Sequence, residues 1–337
     1  MVFYNIFSII VTIFSIFMTI CLIDYFFPVF LGLFAKRKRF PTRDEKLKYG
    51  VVISARNEEN VIGELIESIR KSNYPQDKLD IFCIAHNCTD KTAEVARKAG
   101  AIVYEYSNKD ERTKGFGLKK LFEFIKRDYN YDDYEGFHVF DADNIVDANY
   151  FTKMNDAFLY YDKQYTINSF RNAKNFGENV QTAMYGVMYI MSCTCECNAK
   201  MLLNGTSKLV GSGFLVPRDK LKDGWTITNP SDDIDFTIEQ TLDGSIVKYC
   251  DEAMYYDEHP TTFNPMWRQR LRWAKGSNCV FKKRVKSLTT EMFSFKKRDD
   301  DKKRSRFVAF DLLVGVMPLG AIGIFVSCLD FVVRLIY

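Results

Sequence analysis

The chain has 337 residues, 47% of them hydrophobic, with 29 Phe and 19 Tyr, and its 47 Lys and Arg against 43 Asp and Glu leave a formal charge of +4. That apolar content excludes a disordered or purely polar chain and is ample for the core of one large domain or two small ones. Much of the basic excess sits in two clusters, AKRKRF at 35 to 40 and KKRDDDKKRSRF at 296 to 307, a pattern suited to an anionic membrane surface and not to nucleic acid.

Residues 2 to 23 carry no charge and are long enough to cross a hydrocarbon layer of roughly 30 Å. Asp24 interrupts the run and YFFPVFLGLFA continues it. A basic start, a short apolar stretch and a small-residue cleavage site are all missing, so residues 1–35 read as a retained anchor, not a cleaved signal. A second apolar run, Phe307 to Leu329, carries only Asp311 and is again of spanning length. Both basic clusters face the middle of the chain. The positive-inside bias therefore places 36–306 in the cytoplasm and both termini outside, as in an integral cell-membrane protein. Nine cysteines are scattered along the chain, and the cytoplasmic placement argues that they stay reduced. CTCEC at 193 to 197 does not read as a zinc site: on an α-helix Cys195 points away from Cys193 and Cys197, and no His is near in sequence.

After a basic linker, 36–49, the run KYGVVISA predicts a buried strand, and Val61, Ile62, Leu65, Ile66 and Ile69 then recur at helical spacing up to Tyr74-Pro75. DIFCIA predicts a second strand, followed by a helix from Thr89 or Asp90 to Gly100. IVYEY is a third strand. A helix with Leu118, Leu121, Phe122 and Ile125 on one stripe precedes a fourth, FHVF. Strands alternating with amphipathic helices predict an α/β, Rossmann-like, mostly parallel sheet with helices on both faces, here flanked by transmembrane helices. Residues 178 to 203 are helical in pattern, with Met184, Val187, Met188 and Met191 on one side, and read as a core or membrane-interface helix and not as a third span. GSGFLV predicts a small-residue turn into a strand. Residues 281–306 read as a solvated, basic juxtamembrane connector, and 307–337 as the second membrane segment.

Ligands of such sheets bind beyond the carboxyl ends of the strands. The polar groups there are Arg56 to Glu59, His86 to Asp90, and Asp141 to Asn144. In FDAD, Asp141 and Asp143 stand two apart on what reads as extended chain, so both carboxylates can grip one Mg²⁺ or Mn²⁺ ion. SARNEE, with Asn87 and Asp90, offers enough polar groups to hold a nucleoside. No P-loop sequence occurs, and KGFGLK lacks the third glycine of a dinucleotide loop. Phosphate-loop ATP hydrolysis and hydride transfer are thereby disfavoured, leaving a metal-held nucleoside diphosphate.

SARNEE, HNCTDKTAEVAR, Lys114 in KGFGLKKLF, FDADN, GSGFLV, SDDIDF, DEHPTTF and QRLRWAKG, in that order from about 50 to 280, resemble the motifs of family 2 glycosyltransferases. The resemblance is to the membrane-embedded branch that includes cellulose, chitin and hyaluronan synthases. It implies a GT-A fold, with 50–145 as the nucleotide-sugar-binding half and 146–280 as the acceptor-binding and catalytic half. It also implies inverting transfer from a UDP-linked sugar. The donor would then meet Ala55, Arg56, Asn57, Glu58, His86, Asn87, Asp90, Lys114, Asp141, Ala142, Asp143, Gln269, Arg272 and Trp273. Asp141 and Asp143 would hold the metal. Asp233 would be the general base with Asp232 beside it, and Gly211, Ser212, Gly213 and Trp273 would border the acceptor. Two departures stand out: His86 replaces an Asp common in relatives, and Ser231-Asp232 replaces Thr-Glu.

Chemistry supports that division. Displacement at an anomeric carbon needs a carboxylate to take the acceptor's proton and a cation to absorb charge on the departing diphosphate. Arg272 adds a planar donor fork, and Trp273 a face on which a sugar can stack. His259 reads as a local loop hydrogen-bonder. With only two spans, the acceptor is expected to be a lipid or saccharide at the membrane. A processive polysaccharide synthase subunit, possible as an oligomer, and a silent scaffold of an envelope-assembly complex are the alternatives.

Overall fold

The computed structural model describes residues 2–294 and 306–336; residues 295–305, which hold most of the second basic cluster and the end of the expected connector, lie outside the described residues. The four apolar runs form β1 (Tyr49–Ala55), β2 (Leu79–His86), β3 (Ile102–Tyr106) and β4 (Gly136–Asp141), paired in parallel in the order β3-β2-β1-β4. Six of the seven β1 residues are buried, as a strand covered on both faces requires. On one face Ile62, Leu65, Ile66 and Ile69 of α2 (Ile62–Arg70) pack with Ala96 of α3 (Thr92–Lys98) and with Met154 and Phe158 of α5 (Tyr150–Tyr160). On the other face Leu118, Leu121, Phe122 and Ile125 of α4 (Lys114–Asp128) pack with Trp225 and Phe236. The stripe at helical spacing is what lets α4 bury one side while Lys119, Lys120 and Glu123 stay in water.

The sheet continues past β4. β7 (Phe214–Pro217) lies antiparallel to β4, β6 (Ile167–Ala173) antiparallel to β7, β8 (Lys248–Asp257) parallel to β6, and the short β5 (Ile145–Val146) edges β8. Eight strands thus form one sheet across both expected halves of the domain.

Helix α6 (Val180–Met191) runs through a wider π-helical turn at Ser192–Cys197 into α7 (Asn198–Leu202). Its methionine face does not enter the core: Val180, Met184, Val187, Met188 and Met191 are exposed, while Tyr185, Gly186 and Tyr189 are buried. The π turn also changes where the cysteines go. Cys193 and Cys197 pack with Phe170 and Tyr249, and Cys195 is buried as well, its backbone closing on Gly32 so tightly that a Cβ there would lie 2.1 Å from the Cys195 carbonyl oxygen.

Helix α1 (Val2–Gly32) is continuous through Asp24 and Pro28, and its segment Tyr4–Gly32 is long and apolar enough to cross a membrane. The second apolar run is not one straight span. It breaks at Met317-Pro318 into α10 (Arg306–Val316) and α11 (Leu319–Ile336), bent by 68°. Val308, Ala309 and Leu312 of α10 are buried against Val280 and Leu288 of α9 (Phe263–Phe293) and Ile238 of α8 (Asp232–Leu242). The stretch expected to be a solvated connector therefore begins as the packed second half of α9.

The seam between α8 and α9 is fixed by charge. Asp235 is wholly buried and receives Lys283 Nζ at 2.7 Å and Arg284 Nε, while Arg284 Nη2 reaches Glu239 at 2.7 Å. Removing one partner of a buried ion pair costs about 3 kcal/mol or more. Since Lys283 is half-exposed and Arg284 keeps Glu239, Asp235→Ala is expected at that lower figure. That corresponds to a fall of about 6–12 °C in the Tm of detergent-purified protein, measured by scanning fluorimetry.

Candidate active site

Because β1, β2 and β4 are parallel, their carboxyl ends form one rim: Ala55 pairs with Ala85, and Ser54 with Asp141. SARNEE, HNCTD and FDAD leave the sheet side by side there. Asn57 and Asn87 follow their strands with φ of 58° and 56°, a left-handed conformation Asn tolerates, and each turns its chain out of the sheet. Their side chains hold the loops. Asn57 Oδ1 accepts from Thr89 N at 2.8 Å; Asn87 Nδ2 donates to the carbonyls of Asn108 and Glu111 at 3.0 and 2.9 Å. Asp90 accepts from Glu59 N at 3.2 Å and Thr92 N at 3.1 Å, so it ties the first loop to the start of α3. Asn87 and Asp90 thus shape the rim, with their hydrogen-bonding capacity already engaged.

His86 is 2% exposed, stacked on Tyr106 with ring centres 5.8 Å apart, and its Nε2 lies 3.1 Å from Asn87 Nδ2. Burial, with Arg56 adding to it, lowers its pKa and keeps the imidazole neutral. The second glycine of KGFGLK makes room for it. A Cβ on Gly117 would stand 2.4 Å from Ser54 Oγ and 3.1 Å from His86 Nδ1.

Asp141 ends β4, but Ala142 and Asp143 form a turn, so the pair does not lie on extended chain as expected. Asn144 folds back to hold that turn: its Oδ1 accepts from Asp141 N and its Nδ2 donates to Asp143 Oδ1, both at 3.2 Å. Lys114, at the start of α4, donates to Asp141 Oδ1 and to the Gly211 carbonyl, each at 2.6 Å. Burial opposes its charge, yet Asp141, Asp232 and Asp233 together hold its pKa above the ordinary value.

Asp143 is pushed well above the usual carboxylate range by burial and then by Asp257, Asp141 and Glu58, against the pull of Arg171. Glu58 is raised to about 6 by burial and by Asp141, Asp90 and Glu258. Such crowding of hard oxygen donors is relieved by a divalent cation, so these residues fit Mg²⁺ or Mn²⁺. Among the described residues no three His, Cys, Asp or Glu side chains gather as a closed metal site. A cation would lean on the two aspartates and take its other ligands from phosphate and water.

The GSG turn has φ of +88° at Gly211 and +69° at Gly213. A Cβ on Gly211 would lie 3.4 Å from Asp141 Oδ2, while one on Gly213 would strike the Tyr255 ring at 2.1 Å. Ser212 and Gly213 are buried, so Gly211 is the residue of the three that borders the acids. Gly213→Ala is expected to lower both Tm and turnover, because neither the backbone angle nor the ring admits a methyl group.

Asp232 and Asp233 open α8. Burial raises Asp232 to about 7, with Lys114 pulling down and Asp233 and Asp141 pushing up. Asp233 is raised too, by burial ahead of the opposing hydrogen bond from Ile234 N, and it is the more exposed of the two. Gly276 of α9 closes on Ser231, where a Cβ would lie 2.0 Å from its Oγ. That contact brings the QRLRW helix against the acid pair. Gln269 accepts from Tyr185 Oη at 3.3 Å, and the Trp273 ring meets Tyr185 edge-on at 6.3 Å. Arg272 is exposed and has no ion-pair partner among the described residues; with Pro230, Arg268, Leu271 and Lys275 it lines an open depression of about 370 Å³.

The sequence left two buried charges unassigned. Arg171 and Asp257 pair beneath the FDAD turn, and His259 Nδ1 lies 3.6 Å from Asp257, its ring near-parallel to those of Tyr185 and Tyr189 with centres 5.0 and 5.2 Å away. Burial lowers the His259 pKa to about 4, despite Asp257. A charged residue inside the strand INSFRNA was the available signal for Arg171.

The chain is similar to known proteins in sequence and in fold. "Probable glycosyltransferase YdaM" of Bacillus subtilis is 26% identical over 310 residues, 86% of this chain and 67% of that protein. A beta-monoglucosyldiacylglycerol synthase of Nostoc sp. is 29% identical over 238 residues, 67% of this chain and 48% of that protein, so the chain spans about half the length of this relative. In fold, the chain is similar to a mannosyltransferase of Pyrobaculum calidifontis solved with GDP-mannose and Mn²⁺, at a TM-score of 0.60 and 13% identity over 96% of this chain and 92% of that one. The eight-stranded α/β sheet is of the GT-A type. A family model described as "Glycosyltransferase like family 2" matches residues 47–276, and the chain belongs to that family of glycosyltransferases.

Proposed function

We propose that the protein transfers one sugar, with inversion, from a nucleotide-sugar donor to a lipid acceptor at the cytoplasmic face of the cell membrane, in the manner of the membrane-embedded branch of its family. The observation that carries the acceptor assignment is the double role of α6. One side exposes Val180, Met184, Val187, Met188 and Met191; the other carries Tyr185, which touches Gln269 and Trp273. The chain of α6 leads directly into the turn on which α1 rests. Exposed Phe263, Trp267 and Leu271 on the adjoining end of α9 extend the apolar surface. A lipid held in the membrane would thereby bring its hydroxyl beside the acid pair.

In this reading Asp233 takes the proton of the acceptor hydroxyl as that oxygen attacks the anomeric carbon, and Asp232 holds a second negative charge beside it. Lys114 fixes Asp141 against the Gly211 turn. Arg272, with Arg268 and Lys275, supplies positive charge to the leaving diphosphate. Asp141 and Asp143 would hold Mg²⁺ or Mn²⁺, which when bound neutralises charge on the diphosphate. The donor is assigned as UDP-linked from the motif resemblance, with the base beside His86 and SARNEE. The glucosyldiacylglycerol synthase relative, named for a lipid product, supports the acceptor class.

Purified protein with Mn²⁺, UDP- and GDP-sugars, and either diacylglycerol vesicles or soluble oligosaccharide is expected to release nucleoside diphosphate and to yield a monoglycosylated lipid by mass spectrometry. A ladder of long saccharides would instead establish the processive reading. Transfer to soluble acceptors alone would end the lipid assignment.

A further inference from the structure

Four segments distant in sequence meet at Arg171, which is 9% exposed within β6. Its Nη1 donates to the Val210 carbonyl at 3.0 Å, and its Nη2 donates to Asp257 Oδ2 at the end of β8. The guanidinium carbon lies 3.9 Å from the centre of the Tyr189 ring on α6. Two of these contacts lead to residues of the candidate site. Asp257 Oδ1 accepts from Asn144 Nδ2 at 2.7 Å, and Asn144 holds both Asp141 N and Asp143 Oδ1. Val210 immediately precedes Gly211, whose carbonyl accepts from Lys114. One rigid fork thus reaches the FDAD turn through two side chains and the GSG turn through one carbonyl.

Core stability does not call for such a group. A buried ion pair is commonly no more stabilising than well-packed apolar side chains of the same volume, so the pair is better explained by the geometry it imposes. Only a guanidinium has separate planar donors able to engage a carboxylate and a carbonyl while stacking on a ring; an ammonium at that depth is a single point charge.

We propose that Arg171, acting through Asp257 and Asn144, is the positioning residue that sets the two carboxylates of FDAD and the Gly211 turn in one fixed relation, aligning the metal and diphosphate end of the site with the acceptor end. This rests on the donor-site reading of Asp141 and Asp143.

The test uses the full chain in detergent and compares Arg171→Lys, Asn144→Ala and Asp143→Asn. Calorimetric binding of Mn²⁺ alone and of UDP with Mn²⁺ is measured beside kcat, donor KM and Tm. Arg171→Lys and Asn144→Ala are each expected to weaken Mn²⁺-dependent UDP binding by about 10- to 100-fold and to raise donor KM in step, as loss of a group that orients metal ligands does. Asn144→Ala leaves the Arg171–Asp257 pair in place and so keeps the proposal testable if the arginine variant folds poorly. If both variants lower Tm yet bind Mn²⁺ and UDP as the parent does, while Asp143→Asn loses binding, Arg171 is structural only and the inference is overturned. If Asp143→Asn also binds normally, the donor-site reading itself fails and takes the inference with it.

Discussion

Asp233→Asn is expected to lower kcat by about 10²- to 10⁴-fold, the usual worth of a general base, while binding of the nucleotide donor stays within a few-fold of the parent. The amide preserves the shape of a side chain that accepts from Ile234 N, but it cannot take a proton. Asp232→Asn should behave differently. It removes a negative neighbour from a pair that titrates together, so Asp233 becomes easier to ionise. The sign follows from the raised values: with burial raising both Asp232 and Asp233, the pair keeps a proton to higher pH than free aspartates do, and transfer climbs as pH rises through that raised range. In Asp232→Asn that climb should move to lower pH, with a smaller loss of rate. Nucleoside diphosphate release measured from pH 5 to 9 separates the two variants. Loss of activity in Asp232→Asn with near-parental turnover in Asp233→Asn would transfer the base role to Asp232.

The parts of this site legible in the sequence are those in which chemistry and chain order coincide. β1, β2 and β4 are apolar runs because both of their faces are covered, and the polar residues directly after each run had to share a rim once the strands were parallel. Topology thus put Arg56 to Glu59, His86 to Asp90 and Asp141 to Asn144 on one rim, whereas Lys114, Asp232 and Asp233 joined them only through the motif resemblance; in the structure Lys114 lies 2.6 Å from Asp141. What hydropathy does not encode is direction. The run from Phe307 to Leu329 has spanning composition, yet Pro318 turns it, and Val308, Ala309 and Leu312 go into the protein. CTCEC was read with the pitch of an α-helix, and the π turn gives that stretch a different pitch. Met184 and Met188 were read as one side of a helix without a rule for which side meets the core. The Arg171–Asp257 pair was hidden for a further reason: β6 and β8 pair across about 80 residues, and nothing local to either strand reports its partner.

Lys114→Met is expected to be the second most damaging substitution, and for a reason distinct from loss of a base. The ammonium is the cation that touches Asp141 and also acts on Asp232 and Asp233, pulling the Asp232 pKa down against burial. Without it the acid pair protonates more readily, so the rise of activity with pH should shift to higher pH, opposite to the shift in Asp232→Asn. Asp141 also loses the contact that ties it to the Gly211 turn, and that carbonyl loses its 2.6 Å donor. Removal of one preorganised electrostatic contact of this kind lowers kcat by about 10²- to 10³-fold. Lys114→Arg retains the charge and should keep the parental pH limb even if its bulk reduces the rate. A methionine variant whose pH limb does not move would show that Lys114 anchors the turn without acting on the acids. Opposite shifts in the two variants would establish that the protonation of the acid pair is set jointly by Lys114 and by the second aspartate.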